Sequence, residues 1–404
     1  MGGNTTIITR EGDSVSAQRI PLKNIGRDVF VKSFQKFLLN MNKAFKKEFK
    51  YPIWSDESEI MNGGIFNGST SFIMDSNYDS NEIEKYKPNA GDLDVAVPRE
   101  YGSDIYRFLE KHEGEEFSDN IRYIGNNAKS ADKLGNTLIC ISKAKFGDIV
   151  VFAQLDLELS DFQEKNGKPL AAQTDFSKFA HSSSFDDTKA GMKGVANKYF
   201  WRALVGALHQ LESGFVVATP SSTPEKIVLK GKQPSTIRLL NFGVDSGIGA
   251  GYEVLMDKDE PIKIDGNVVY REKKPNEKTY DKDLGNLMEL VFKTRSINPT
   301  DLHSFIKVLE LSNKHLDKKT KQISLDRFLD ILFCLDGGQC QVIEPDAEED
   351  IKIKAGMYNK AVDILGLQPA ANMEVIIKNY VAKSHSIKER FRNFLIQEGF
   401  TSEI

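Results

Sequence analysis

Asp-x-Asp occurs three times in this chain, as Asp92/Asp94, Asp257/Asp259 and Asp281/Asp283, and only the first pair opens an apolar run, GDLDVAVPRE. The other two sit among lysines, in MDKDEPIK and TYDKDLG, where a solvated loop accounts for them. On a strand, residues two apart share a face, so Asp92 and Asp94 point the same way. Two carboxylates on one face repel unless a cation lies between them, and hard oxygen ligands suit Mg2+ (or Mn2+). A later run, VVFAQLDLELS, alternates Leu155, Leu157 and Leu159 with Gln154, Asp156 and Glu158. The leucines would face a core and the polar set the opposite side, so Asp156 or Glu158 supplies a third acid. Three acids around divalent ions are the apparatus of in-line phosphoryl or nucleotidyl transfer. Upstream, GGIFNGSTSFIMD places Gly68-Ser69 after a short apolar run. A glycine there lets backbone N–H groups approach phosphate oxygens, and the serine hydroxyl adds a donor.

In this order (apolar-Gly-Gly, Gly-Ser, apolar-bounded Asp-x-Asp, distal strand acid) the chain resembles the nucleotidyltransferase superfamily that includes DNA polymerase beta, poly(A) polymerases and CCA-adding enzymes. The match covers residues 60 to 160. The resemblance implies that Gly68 and Ser69 cradle a nucleoside triphosphate. It implies that Asp92, Asp94 and Asp156 are the catalytic metal ligands, with Glu158 on the same face as the alternative third acid. Lys189, Lys193 and Lys198 lie near the start of the helix after the third acid, where the family's basic residues reach the triphosphate; Lys193, between Gly191 and Gly194, ranks first, and Lys193 and Lys198 are the expected triphosphate contacts. The implied partners are an NTP and an RNA or single-stranded nucleic-acid acceptor, with release of pyrophosphate. The interval between Gly-Ser and the aspartates is longer than the family's and contains YDSNEIEKYKPNA, read as an inserted loop beside the site. Two other readings are carried: a cyclic or short-oligonucleotide second-messenger synthase, whose acceptor is a nucleotide, and a catalytically inactive binding module of the same fold. The presence of all three acids argues against the last.

The elements that must hold these residues are legible from periodicity. Phe30, Phe34, Phe37, Leu38, Met41, Phe45 and Phe49 recur at helical spacing. Gly64 to Phe66 and Leu93 to Pro98 read as strands, and Ser103 to Glu113 as a helix capped by Ser103. Asn136 to Leu159 reads as a hairpin about Phe146-Gly147-Asp148. Asp186 to Ser213 is a helix, or two broken near Gly191 and Gly194. The chain turns β-rich again at about 215–275, with an Asp-Gly hairpin signal in IKIDGNVVY, and is helical from Lys282. The expected fold is α+β: an N-terminal arm (1–27), a polymerase-beta-like nucleotidyltransferase domain with a mixed sheet (28–185), and an α-rich domain (186–404) carrying the β insertion.

Composition limits the alternatives. At 404 residues, 40% hydrophobic and 28% charged, the chain can bury more than one core. A net charge of −4 gives no global attraction to nucleic acid, so such contact needs a local basic patch. The candidate is KNYVAKSHSIKERFRN, Lys378 to Asn393, with Tyr380 and Phe391 interleaved. Cys140, Cys334 and Cys340 make neither a disulfide framework nor a zinc spacing, and the histidines are scattered. GIGAG, Gly247 to Gly251, leads into a strand pattern rather than a helix and reads as a turn, not a dinucleotide loop. No run approaches the ~20 apolar residues of a membrane span, and the expected location is the cytoplasm.

Overall fold

A computed structural model describes residues 6–8, 14–128, 130–131, 137–165, 168–213, 283–333 and 347–381, with short strands between 228 and 281. The architecture is α+β. The long helix α1 (Arg27–Phe49) buries one stripe, Phe30, Phe34, Phe37, Leu38, Met41 and Phe45, as its spacing requires. Each such side chain contributes roughly 1.5–3 kcal/mol by leaving water. The helix ends at Lys50, which adopts a left-handed φ of 70°.

Against α1 packs a mixed four-stranded sheet of β1 (Asp92–Pro98), β2 (Ile121–Asn126), β3 (Thr137–Phe146) and β4 (Ile149–Ser160), in spatial order β1-β4-β3-β2. The expected hairpin is β3 and β4, turning at Gly147, whose φ is +60°. β1 pairs with β4 in parallel, which demands a long crossover. That crossover contains the helix Gly102–Lys111 and β2. Ser103 does not cap this helix, because a 3-10 turn, Arg99–Tyr101, precedes it and no side chain caps it.

Gly64 to Phe66 is not a strand. It makes one antiparallel bridge, Phe66 to Val95, and Ala96 N–H donates to the Ile65 carbonyl at 2.8 Å. The segment therefore shields the exposed edge of β1, and the Trp54 indole, donating to the Ala96 carbonyl at 2.9 Å, extends the cover. Gly68-Ser69 opens a short helix, α2 (Gly68–Met74). The segment read as an inserted loop contains a helix, α3 (Ser80–Tyr86), capped by Asp79. The buried Arg27 guanidinium ties it down, donating to the carbonyls of Ile73 and Tyr78 and to Ser80 Oγ. Before α1, Ala17 packs on Ile141 and Gln18 N–H donates to the Phe152 carbonyl of the sheet, and Ile20 bridges Ala90 just ahead of β1.

One hydrophobic core runs from Ile20 to Phe185 and a second from Phe176 to Tyr380. Between them lie α4 (Asp175–His181) and α5 (Phe185–Lys189), the latter capped by Ser184. The helical pattern then breaks, with Gly191 at φ +78°, before α6 (Val195–Ser213). In the second core α6 packs along the helix Lys318–Phe333, and α7 (Phe305–His315) packs on the helix Ala347–Leu365. Asp187 of α5 joins the cores: its carboxylate accepts from Ser304 Oγ at 2.8 Å and Phe305 N–H at 2.6 Å at the start of α7. The β character at 215–275 is present, with Ile262–Ile264 pairing Asn267–Val269 across the Asp-Gly signal. Cys140 is a buried free thiol. Cys334, Cys340 and residues 382–404 lie outside the described residues.

Candidate metal centre

The parallel register of β1 and β4 sets Asp94 beside Asp156 and Asp92 beside Gln154. Period-two alternation keeps all four on one face, while Leu93, Leu155 and Leu157 point into the core. Asp92, Asp94 and Asp156 each offer a carboxylate oxygen within 4.8 Å of the others. Gln154 Nε2 donates to both oxygens of Asp156, at 2.9 and 3.0 Å, and fixes its rotamer. Gln154 Oε1 is buried and has no hydrogen-bond partner among the described residues.

This concentration of charge has the expected electrostatic result. Burial, then Glu158, Asp92 and Asp156, raise the Asp94 carboxyl well above the ordinary carboxylate range, against some relief from Lys198. Asp94 is only half-exposed to solvent, and the surrounding chain makes desolvation its largest influence. Asp156, 9% exposed, is raised to about 7, first by burial and then by Asp92. Acids with such shifts are poised to exchange protons for a cation. The donor set is all oxygen and clustered, which fits Mg2+ or Mn2+.

Glu158 shares the face but has a different environment. Burial alone would raise it, yet the His181 charge and hydrogen bond, with Lys198 and Asn67, outweigh that and hold it low. Its Oε2 accepts from Asn67 Nδ2 at 2.5 Å and lies 3.2 Å from His181 Nδ1.

Gly68 sits against the acids for a reason the sequence reading did not assign. Its φ is +51°, and a Cβ at this position would lie 2.2 Å from Asp94 Oδ2. The bare α-carbon makes room for a carboxylate. Flanking residues hold the same aspartate by its backbone: Asn67 N–H donates to the Asp94 carbonyl at 3.1 Å, and Asp94 N–H donates to Thr70 Oγ1 at 2.9 Å. Ser69 is half-buried beside them.

Of the lysines, Lys198 is half-buried and its charge reaches Asp94 and Glu158. Lys193 is exposed, and its charge is felt at Lys87. Lys189 instead pairs with Asp186 at 2.8 Å. Lys87 was not anticipated. It follows α3, is half-buried, and burial lowers its pKa against the pull of Asp92 and Asp94. Its only signal in the sequence is its place in the segment before β1. Tyr380, expected as an interleaved aromatic of the basic segment, is 2% exposed and bonded to Lys354 and Asp350.

No protein-family model matches this chain, and no curated protein or solved structure matches it.

Proposed function

We propose that this protein is a divalent-cation-dependent nucleotidyltransferase that moves a nucleoside monophosphate from an NTP to a hydroxyl acceptor. The observation that carries the reading is the convergence of Asp92, Asp94 and Asp156 from two neighbouring strands far apart in sequence. These three residues would hold the cation. A bound divalent ion supplies charge neutralisation at phosphoryl oxygens and acidification of a hydroxyl.

In the proposed reaction the acceptor oxygen bonds to the α-phosphorus, the α–β phosphoanhydride bond breaks, and pyrophosphate leaves with the bridging oxygen. The acceptor proton passes to a base. Asp156, its oxygens steadied by Gln154, is assigned that role beside the cation. Lys198 and Lys87 supply positive charge near the acids for the triphosphate, with Lys193 beside Lys87; Gly68 packs on Asp94, and Ser69 follows it in α2. A nucleic-acid acceptor would be met by the basic segment that opens at Lys378, itself an exposed residue; residues 382–393 lie outside the described residues.

The test is a transfer screen with α-labelled NTPs and Mg2+, in the presence of RNA, single-stranded DNA or protein, or with no polymer. Label transfer that is lost in Asp94→Ala is the expected result. Soluble oligonucleotides formed from NTPs alone would assign the acceptor as a nucleotide. No transfer under any of these conditions, with no binding of NTP, would overturn the reading.

A further inference from the structure

Asparagine is a favoured N-cap residue because its side-chain oxygen accepts from the first free N–H groups of the helix. Asn67 occupies the N-cap of α2 and makes no such bond. Its side chain is used elsewhere: Oδ1 accepts from Gln173 Nε2 at 3.0 Å, and Nδ2 donates to Glu158 at 2.5 Å. Glu158 is in turn held by His181 Nδ1 at 3.2 Å, at the end of α4. The next residue, Ser182, bridges in parallel to Gly68. Two chain segments, 67–70 and 181–182, are thus joined at Glu158 and again at Gly68. Segment 67–70 is the one that grips Asp94, through the Asn67 N–H, the Thr70 hydroxyl and the close approach of Gly68.

We propose that Asn67, Glu158 and His181 form a clamp that positions Asp94 for cation binding, with Glu158 the anchor of the clamp rather than a ligand. The inference rests on reading Asp92, Asp94 and Asp156 as the metal centre. Leaving a helix cap unmade and burying an Asn–Glu–His network costs stability. The return is a fixed Asp94 backbone and a fixed floor beneath its carboxylate. Residues that orient a ligand without touching the metal commonly change its affinity by about 10–100-fold.

The experiment measures Mn2+ binding to the full metal-free chain by electron paramagnetic resonance of the free ion, with a thermal melt of each variant. Wild type, His181→Ala, His181→Asn, Glu158→Gln and Asp156→Asn are compared. His181→Ala should bind Mn2+ about 10–100-fold more weakly, and His181→Asn, whose amide N–H donates from the position of His181 Nδ1, should recover most of that loss. If His181→Ala does not fold, His181→Phe, which keeps a ring and lacks the donor, carries the same expectation. A lower melting temperature with wild-type Mn2+ affinity would reduce the clamp to a structural tie and overturn the proposal. Equal losses in Glu158→Gln and Asp156→Asn would make Glu158 a ligand and also overturn it. Absence of Mn2+ binding by the wild-type chain would instead refute the metal centre itself.

Discussion

Gly68→Ala tests the geometry of the acidic centre most directly. The added methyl would stand 2.2 Å from Asp94 Oδ2 and 3.2 Å from its Cγ, with φ at +51°. The left-handed backbone alone costs an L-residue roughly 1–2 kcal/mol. The clash cannot be met by the helix backbone, which is tied to β1 through Asn67 and Thr70, so the Asp94 carboxylate must turn away from Asp92 and Asp156. Misplacement of a reacting group by about 1 Å can cost about 10²-fold in rate, and the loss of transfer should be at least that. The melting temperature should fall by about 2–8 °C, at about 2–4 °C per kcal/mol for a domain of this size. Gly91→Ala is the control. It adjoins Asp92, its Cβ would meet nothing within 4 Å, and it has no left-handed φ, so both stability and transfer should be near wild type. The assays are a thermal melt and labelled-NTP transfer at saturating Mg2+. Full activity in Gly68→Ala, or equal damage from Gly91→Ala, would refute the packing of Gly68 on Asp94.

Metal-free stability should fall with rising pH. Asp94 is raised and Asp156 lies at about 7, so the folded chain keeps protons that the unfolded chain releases at about pH 4. The native state then binds more protons between about 4 and 7, and stability declines across that window. Melts of chelator-treated protein should show the decline, Asp94→Asn should flatten it, and Mg2+ should raise the melting temperature more at pH 8 than at pH 5; an unaltered profile in Asp94→Asn would be inconsistent with this account. Asp156→Asn should lower transfer by about 10²–10⁴-fold and Glu158→Gln by much less, as single-turnover rates would show; the reverse order would exchange their roles. Asp187→Ala should cost about 2 kcal/mol in urea unfolding, since it removes a carboxylate accepting from Ser304 Oγ and Phe305 N–H; an unchanged midpoint would mean the two cores are joined by other contacts.

Much of this protein is readable from local pattern. The apolar spacing from Phe30 to Phe45 specifies a helix and its buried face. The alternation from Gln154 to Leu159 specifies a strand with acids on one side. Gly147 and Gly191 mark the hairpin turn and the helix break they were expected to mark. These follow from consecutive backbone dihedrals, which set a period of 3.6 or 2 regardless of the rest of the chain. The motif Asp92-x-Asp94 belongs to the same class. What brings Asp156 to Asp94 is of another kind. A parallel register between strands so distant in sequence is set by how the helices and the crossover pack, and a slip of one residue would have turned Asp156 into the core. Tertiary structure alone also decided that Asn67 forgoes its helix cap for Glu158 and Gln173, that His181 closes on Glu158, and that Lys87 comes near the acids. Gly68 shows the division most sharply: its sequence context marked a position needing a bare α-carbon, and only the fold revealed that the neighbour requiring it is the carboxylate of Asp94.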